Sequence, residues 1–360
     1  MPDIVDQRLI NQQLVQTSCK TPDGIVRWFG AVQAQDFLGS LWAIGCRLPG
    51  ITDESVEQAI ADRTILRTWP MRGTLHLIPA EDARWMVNLM APRSISRAQG
   101  RYRKAGLDED IFARAREIII RALEGDKKQT RNDLYRLLEA GGIDTEDGRG
   151  LQIIGYLAQE GLICFGSRDG KQATFVLLDE WAPDQRTLTQ SEALAEVALR
   201  YFSSHGPATI QDFVWWTGLT TSEARSGLES VKSQFVQETI KDITYYYNEQ
   251  VDEYSEYSLS VHLLPAYDEF MVGYKDRSAA LNQHSMWLSS PENHLRPIIL
   301  IDGQVTGSWK RSFQNSEVLI ETRLIRSLSV SENEKLLDTT QRYEKYLGMP
   351  VVLEKQKIKV

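Results

Sequence analysis

The stretch Leu151-Gln152-Ile153-Ile154-Gly155-Tyr156-Leu157-Ala158-Gln159-Glu160-Gly161-Leu162-Ile163-Cys164-Phe165-Gly166-Ser167-Arg168-Asp169-Gly170-Lys171-Gln172-Ala173-Thr174-Phe175-Val176-Leu177-Leu178 decides how this chain is built. Ile153, Ile154, Leu157 and Ala158 recur at helical spacing, so Leu151 to Gln159 reads as a helix. Leu162 to Phe165 is a short apolar run that suits a strand. Asp169-Gly170 is a hairpin signal, because a tight two-residue turn needs left-handed backbone that Asp and Gly tolerate, and Ala173 to Leu178 supplies the return strand. Upstream, Ile111, Phe112, Ala115, Ile118, Ile119, Ala122 and Leu123 mark one helix. Thr130 caps a second, with Leu134, Leu137 and Leu138 on one face and Gly141-Gly142 at its end. Three helices followed by a two-stranded hairpin is the winged-helix pattern.

The pattern repeats. From Thr189 to about Tyr257 a helix carries Leu194, Val197, Ala198, Leu199 and Phe202, Gly206-Pro207 breaks it, and Thr209 caps a helix with Phe213, Trp215 and Trp216. Thr220 or Thr221 starts a third helix, and Phe235–Ile240 and Ile243–Tyr247 flank Lys241-Asp242 as a hairpin. The first ninety residues give a looser copy, with helices expected near Asp6–Gln16, Thr21–Ala34, Leu38–Cys46 and Asp53–Ala61, a strand-like run from Ile65 to Ile78, and a further helix after Pro79. Beyond Ser260 the pattern changes to strands at Val261–Leu264, Pro297–Asp302, Val305–Trp309 and Val318–Arg326, then an amphipathic helix over Ser331–Tyr346. The expected fold class is α+β: winged-helix units over residues 1–106, 107–186 and 187–260, and a β-rich C-terminal domain with a terminal helix over 261–360.

Bulk composition fits a soluble multidomain protein. Of 360 residues, 42% are hydrophobic and 25% charged, enough apolar material for several cores. Cys19, Cys46 and Cys164 are odd in number and scattered, which argues against a disulfide framework or a zinc site and suits a reducing cytoplasm. His76, His205, His262, His284 and His294 show no metal-ligand spacing. The start of the chain lacks the basic and apolar segments of a signal peptide, and no apolar run reaches the roughly 18 residues of a membrane span. With no heptad seam, a monomer is expected.

A net charge of −8 runs against nucleic-acid binding unless positive charge is concentrated. It is: Arg93, Arg97, Arg101, Arg103 and Lys104 follow one another with no acidic residue between Ala91 and Leu107, and Lys310-Arg311 forms a second group. Most such runs are solvated surface, but this one in an acidic chain is a candidate phosphate-binding face. Tandem winged helices mostly bind DNA; some dock proteins instead.

No phosphate-cradling loop, metalloprotease helix or nucleophile elbow is present. Asp268 and Glu269, after Pro265, are adjacent carboxylates that rarely face each other, so a structural turn is the plainer account than acid/base work. Val32-Gln33-Ala34-Gln35-Asp36 closes an apolar helix; on a regular helix Gln33 and Gln35 would point about 200° apart, and two polar residues there are usually solvated or capping.

Taken together, Gln33-Ala34-Gln35, Met71-Arg72-Gly73-Thr74-Leu75-His76-Leu77, Leu263-Leu264-Pro265-Ala266-Tyr267-Asp268-Glu269-Phe270, Gly273-Tyr274-Lys275-Asp276-Arg277 and Gly303-Gln304-Val305-Thr306-Gly307-Ser308-Trp309 resemble the AlkZ/YcaQ family of bacterial DNA glycosylases, in order and spacing across the chain. The resemblance implies three winged helices with a β-rich C-terminal region, and excision of N-alkylated purines from double-stranded DNA, with interstrand crosslinks unhooked by some members. It implies that Gln33 and Gln35 are catalytic, in the branch with two glutamines; Asp36 lies one position late for the branch that uses Asp. A cationic purine leaves without a general acid, so an amide that orients water and faces an oxocarbenium-like sugar suffices, with no metal or cofactor. Arg93, Arg97, Arg101, Arg103, Lys104, Lys310 and Arg311 are expected on phosphates, and Gly303, Gln304 and Trp309 on a hairpin that probes a groove near the lesion. The work would be done on nucleoid DNA in the cytoplasm. The alternative is a non-catalytic DNA-binding regulator or protein-docking array, and a hydrolase using Asp268 and Glu269 ranks below both.

Overall fold

The computed structural model describes residues 4–249, 259–281 and 295–357. Its elements run α1 (Ile4–Asn11), α2 (Pro22–Phe29), β1 (Val32–Gln33), α3 (Phe37–Gly45), α4 (Asp53–Ala61), β2 (Ile65–Met71), β3 (Thr74–Pro79), α5 (Ala83–Lys104), α6 (Glu109–Leu123), β4 (Gln129–Thr130), α7 (Arg131–Ala140), α8 (Arg149–Gln159), β5 (Ile163–Phe165), β6 (Thr174–Leu177) and α9 (Leu178–Trp181). They continue α10 (Gln190–His205), α11 (Ile210–Thr217), α12 (Thr221–Val231), β7 (Val236–Ile240), β8 (Ile243–Tyr247), β9 (Val261–Leu264), α13 (Glu269–Val272), β10 (Ile298–Ile301), β11 (Gln304–Phe313), β12 (Val318–Leu324), α14 (Val330–Leu347) and β13 (Val351–Lys357). This is a mixed α and β chain in two compact units. No helix among the described residues is long and apolar enough to cross a membrane.

One unit comprises Glu57–Leu194 with Thr217–Leu219. Its sheet runs β3-β2-β5-β6-β4. Over residues 108–178 the three expected helices and hairpin are present as α6, α7, α8 and β5–β6, with the short strand β4 added ahead of α7. Thr130 Oγ1 accepts from the Asp133 backbone N–H while the Asp133 carboxylate accepts from Thr130 N–H, a reciprocal cap that fixes where α7 begins. Phe112, Ala115, Ile119 and Leu123 of α6, Leu134 and Leu138 of α7, and Ile153, Ile154, Leu157 and Ala158 of α8 close one core with Ile163, Phe165 and Phe175 from the hairpin.

The other unit comprises Met1–Val56, Ala195–Trp216 and Thr220–Val360. It holds the end of α10, then α11, α12 and the hairpin β7–β8, where Ala208 bridges to Tyr246. Lys241 and Asp242 both take positive φ (47° and 64°), the backbone a two-residue turn demands. It also holds a five-stranded sheet ordered β13-β12-β11-β10-β9, antiparallel except for the parallel pair β12–β13. Trp309 and Trp42 each pack edge to face against Tyr343, joining β11 and α3 to α14.

Three sequence expectations change. The helix expected over Thr21–Ala34 stops at Phe29, because Gly30 takes φ 79° and turns its N–H onto Val26 O at 2.8 Å. The single strand expected over Ile65–Ile78 is the hairpin β2–β3, turned at Arg72 and Gly73 (φ 54° and 70°). β13 was not anticipated; only Val351-Val352-Leu353 is apolar, and Glu354-Lys355-Gln356-Lys357 is polar throughout. Residues 250–257, the end of the second repeat as read from sequence, and His284 and His294 lie outside the described residues.

Candidate active site

Gln33-Ala34-Gln35 lies in the link between two short helices, each fixed where it faces the motif. Thr21 Oγ1 accepts from Gly24 N–H to start α2, and Gly30 ends it. Asp36 starts α3, its carboxylate accepting from Gly39 N–H at 3.1 Å. Between them Val32 and Gln33 are extended, which removes the helical geometry that would have turned residues two apart away from each other. Gln33 is buried. Gln35 is half-buried, yet its Oε1 is fully covered and makes no hydrogen bond among the described residues.

The main chain of Gln33 is held from below. Its N–H donates to Glu269 Oε1 at 2.8 Å. The other oxygen of that carboxylate accepts from Trp216 Nε1–H at 2.9 Å and faces His205 Nε2 at 3.3 Å. Burial pushes the His205 pKa down against the pull of Glu269, so the ring is neutral. With its proton on Nε2, it donates to Glu269, and its Nδ1 lies 2.8 Å from Ser204 Oγ, whose one hydroxyl proton is shared with Arg200 O at 2.7 Å. Tyr201 stacks on the same ring at 4.6 Å, and Phe29 meets it edge-on.

Asp268, the neighbouring carboxylate, turns elsewhere. Tyr267 has φ 62°; Asp268 after it is extended (φ −62°, ψ 140°) and caps α13, whereas Glu269 is the first residue of that helix. Asp268 caps α13 through Phe270 N–H and accepts from Arg47 Nη1 and Nη2 at 2.8 and 2.9 Å. The remaining Arg47 donors reach Ala43 O, Gln12 O and Gln12 Oε1. Burial works against the charge of Arg47, and Asp268 more than offsets it, raising its pKa. Asp268 and Glu269 thus have separate partners and do not converge as an acid/base pair.

The basic run Arg93–Lys104 is the C-terminal half of helix α5, which continues through Pro92. Arg97, Arg101, Arg103 and Lys104 are exposed and Arg93 half-buried. At 100° per residue, Arg93, Arg97, Arg101 and Lys104 fall within an arc of about 80°, with Arg103 outside it. Lys310 is exposed but pairs with Glu321 at 2.5 Å. Arg311 bonds Asp36 at 3.0 Å and Tyr343 OH at 3.3 Å. The hairpin β10–β11 turns at Asp302-Gly303, where a Cβ on Gly303 would collide with Val5. Gln304 donates to Ala279 O, and Trp309 is 4% exposed with its N–H on Leu264 O. Trp309 is therefore a core residue and presents no probing edge to solvent.

A model of the family described as DNA glycosylase AlkZ-like matches residues 26–346. The chain belongs to the AlkZ-like DNA glycosylases. It is similar to the interstrand DNA cross-link repair glycosylase of Streptomyces sahachiroi, 24% identical over 319 residues, which are 84% of this chain and 85% of that protein. The solved structure of Streptomyces sahachiroi DNA glycosylase AlkZ superposes with a TM-score of 0.79 at 21% identity, covering 98% of both chains, and so shares the fold. As an AlkZ-like protein the chain is a DNA glycosylase, and the reading as a non-catalytic regulator falls away. Sequence reasoning gave Glu269 a turn and missed that it reaches Gln33. The two are separated by 236 residues, and no local pattern records that meeting.

Proposed function

We propose that this AlkZ-like glycosylase releases cationic N-alkylated purines from double-stranded DNA, with Gln33 and Gln35 as the catalytic groups. The observation that carries the reading is the Gln35 carbonyl oxygen, covered by protein yet bonded to nothing among the described residues, beside a Gln33 whose main chain is pinned by Glu269. A buried unsatisfied acceptor costs about 1–3 kcal/mol, a strain kept where function uses it. Alkylation at N7 or N3 makes the purine a good leaving group. The C1′–N9 bond breaks, its electron pair neutralises the purine cation, and water adds to C1′ and loses a proton to solvent. The amide carbonyls orient that water and face the positive sugar; Gln is too weak a base to attack undamaged nucleosides.

Three winged-helix units over 1–106, 107–186 and 187–260, followed by the β-rich region 261–360, form the scaffold of a monomer working on nucleoid DNA. The α5 stripe of half-buried Arg93 and exposed Arg97, Arg101 and Lys104 binds phosphates. Arg103, Lys310 and Arg311 are weaker candidates, since one lies off the stripe and two are ion-paired. The Streptomyces sahachiroi relative is named for interstrand cross-link repair. A purine joined through a cationic nitrogen to an alkyl bridge presents the same leaving group, so this chain acts on such crosslinks as well. The test is release of base from duplexes carrying N7-methylguanine or a nitrogen-mustard crosslink, comparing the wild type with a Gln33→Ala/Gln35→Ala double variant. Release lost only in the variant supports the reading; equal release by both overturns the assignment of the two glutamines.

A further inference from the structure

We infer that Glu269 is the positioning residue of the catalytic segment: its carboxylate, oriented by Trp216 and His205, fixes the main chain of Gln33. The inference rests on Gln33 and Gln35 being the catalytic groups. Glu269 is 1% exposed, and burying a carboxylate is unfavourable unless donors replace its water shell. Three surround it from three elements: Gln33 N–H on Oε1 at 2.8 Å, and Trp216 Nε1 and His205 Nε2 at 2.9 and 3.3 Å on Oε2. An apolar residue would fill the same space without that desolvation. What the carboxylate adds is direction. Trp216 sits on α11 and His205 ends α10, and neither ring is free to turn: Trp216 and His205 are fully buried, and Tyr201 packs against both. The acid is therefore aimed before Gln33 meets it. Gly273 adds to the close fit, since a Cβ there would fall 2.5 Å from His205 Cδ2.

Positioning of this kind is worth much to a reaction that relies on orientation, because a displacement of about 1 Å can cost on the order of 100-fold in rate. The carboxylate is also hard to replace. A Gln at this position offers one acceptor oxygen, so it cannot serve Gln33 N–H on one side and Trp216 N–H on the other; its NH₂ must face one of the two donors.

The experiment measures single-turnover release of N7-methylguanine, duplex affinity, and hydrogen–deuterium exchange of the peptide spanning residues 30–36. It compares wild type, Glu269→Gln, Glu269→Asp and Gln33→Ala/Gln35→Ala. The Asp variant keeps the charge and withdraws it by one methylene, so it covers the case in which Glu269→Gln fails to fold. Expected for a folded Glu269 variant are a rate lower by about 10- to 100-fold, affinity within twofold of wild type, and faster exchange over 30–36. Adding Trp216→Phe to Glu269→Gln removes the stranded donor and restores part of the rate. A purely structural role would lower stability and leave the rate of the folded fraction unchanged. Wild-type rates in the Glu269 variants, with the glutamine double variant inactive, overturn this inference alone. An active glutamine double variant overturns the inference together with the assignment of the motif.

Discussion

Asp36 and Arg311 meet at 3.0 Å, one residue beyond Gln35, so the glutamine segment is held at this end by a guanidinium as it is at Gln33 by a carboxylate. Asp36 does two things at once: its carboxylate caps α3 through Gly39 N–H and receives Arg311. Arg311→Ala removes only a partly exposed pair and should cost about 0.5–1 kcal/mol, less at high salt. Asp36→Ala also removes the cap and should cost about 1–2 kcal/mol. Urea unfolding at two salt concentrations separates the two. A salt-independent loss in Arg311→Ala would mean that its hydrogen bond to Tyr343 OH, and not the ion pair, is what holds.

The buried pair is a different matter. Arg47 and Asp268 side chains are both 1% exposed, and every donor of the guanidinium has an acceptor. Asp268→Asn leaves a cation buried without its counter-charge and should destabilise by about 3–5 kcal/mol. Arg47→Met in that background should recover part of the loss, because removing both charges also removes the desolvation penalty. Chemical denaturation of the single and double variants measures this. Additive losses would show that the pair is not a coupled unit.

What the sequence disclosed, and what it hid, divides along local and non-local lines. Thr130, Asp133 and Gly141 carry their geometry within a few residues, so α7 was legible, as were the hairpin β5–β6, whose turn falls at Gly170-Lys171 between bridged Asp169 and Gln172, and β7–β8 around Lys241-Asp242. Gly30 was overread as part of a helix, because the apolar spacing through Phe29 continues into Ala31 and Val32 and periodicity alone does not see φ 79°. Gln33 and Gln35 stood out only by resemblance; the link that makes their geometry intelligible, Gln33 to Glu269, spans 236 residues. Trp309 reads from sequence as part of a groove-probing hairpin, but Val305 to Trp309 of β11 are all buried and Trp309 packs edge-on against Tyr343.

His262 gives the protein an acid-sensitive element. It lies in β9, buried, with Nε2 unpartnered among the described residues. Burial, with the charges of Arg342 and Arg47 adding to it, holds its pKa down to about 3 from an ordinary 6.5. Between those two values the unfolded chain binds a proton that the folded chain does not, so stability rises with pH across this window and is lost as pH falls from 6.5 toward 3. His205, shifted the same way, adds to the trend. His262→Leu should therefore raise the melting temperature more at pH 5 than at pH 7. An identical shift at both pH values would show that His262 does not titrate on unfolding in this range.

The α5 stripe makes the sharpest demand on the DNA-binding reading, because the helix sorts its charges by angle. Arg97 and Arg101 are exposed and about 40° apart on one face, whereas Arg103 lies about 120° from Arg97 and about 160° from Arg101. If that face lies on phosphates, Arg97→Ala/Arg101→Ala should flatten the dependence of log affinity on log salt by nearly two units, about 0.9 per lost contact. Arg103→Ala should change it by much less, although the charge removed is chemically the same. Duplex affinity measured from 50 to 200 mM salt checks both. Equal slopes for the two sites would mean that the helix contributes a diffuse field and not an ordered row of contacts, and no slope change in either would remove α5 from the DNA-binding surface.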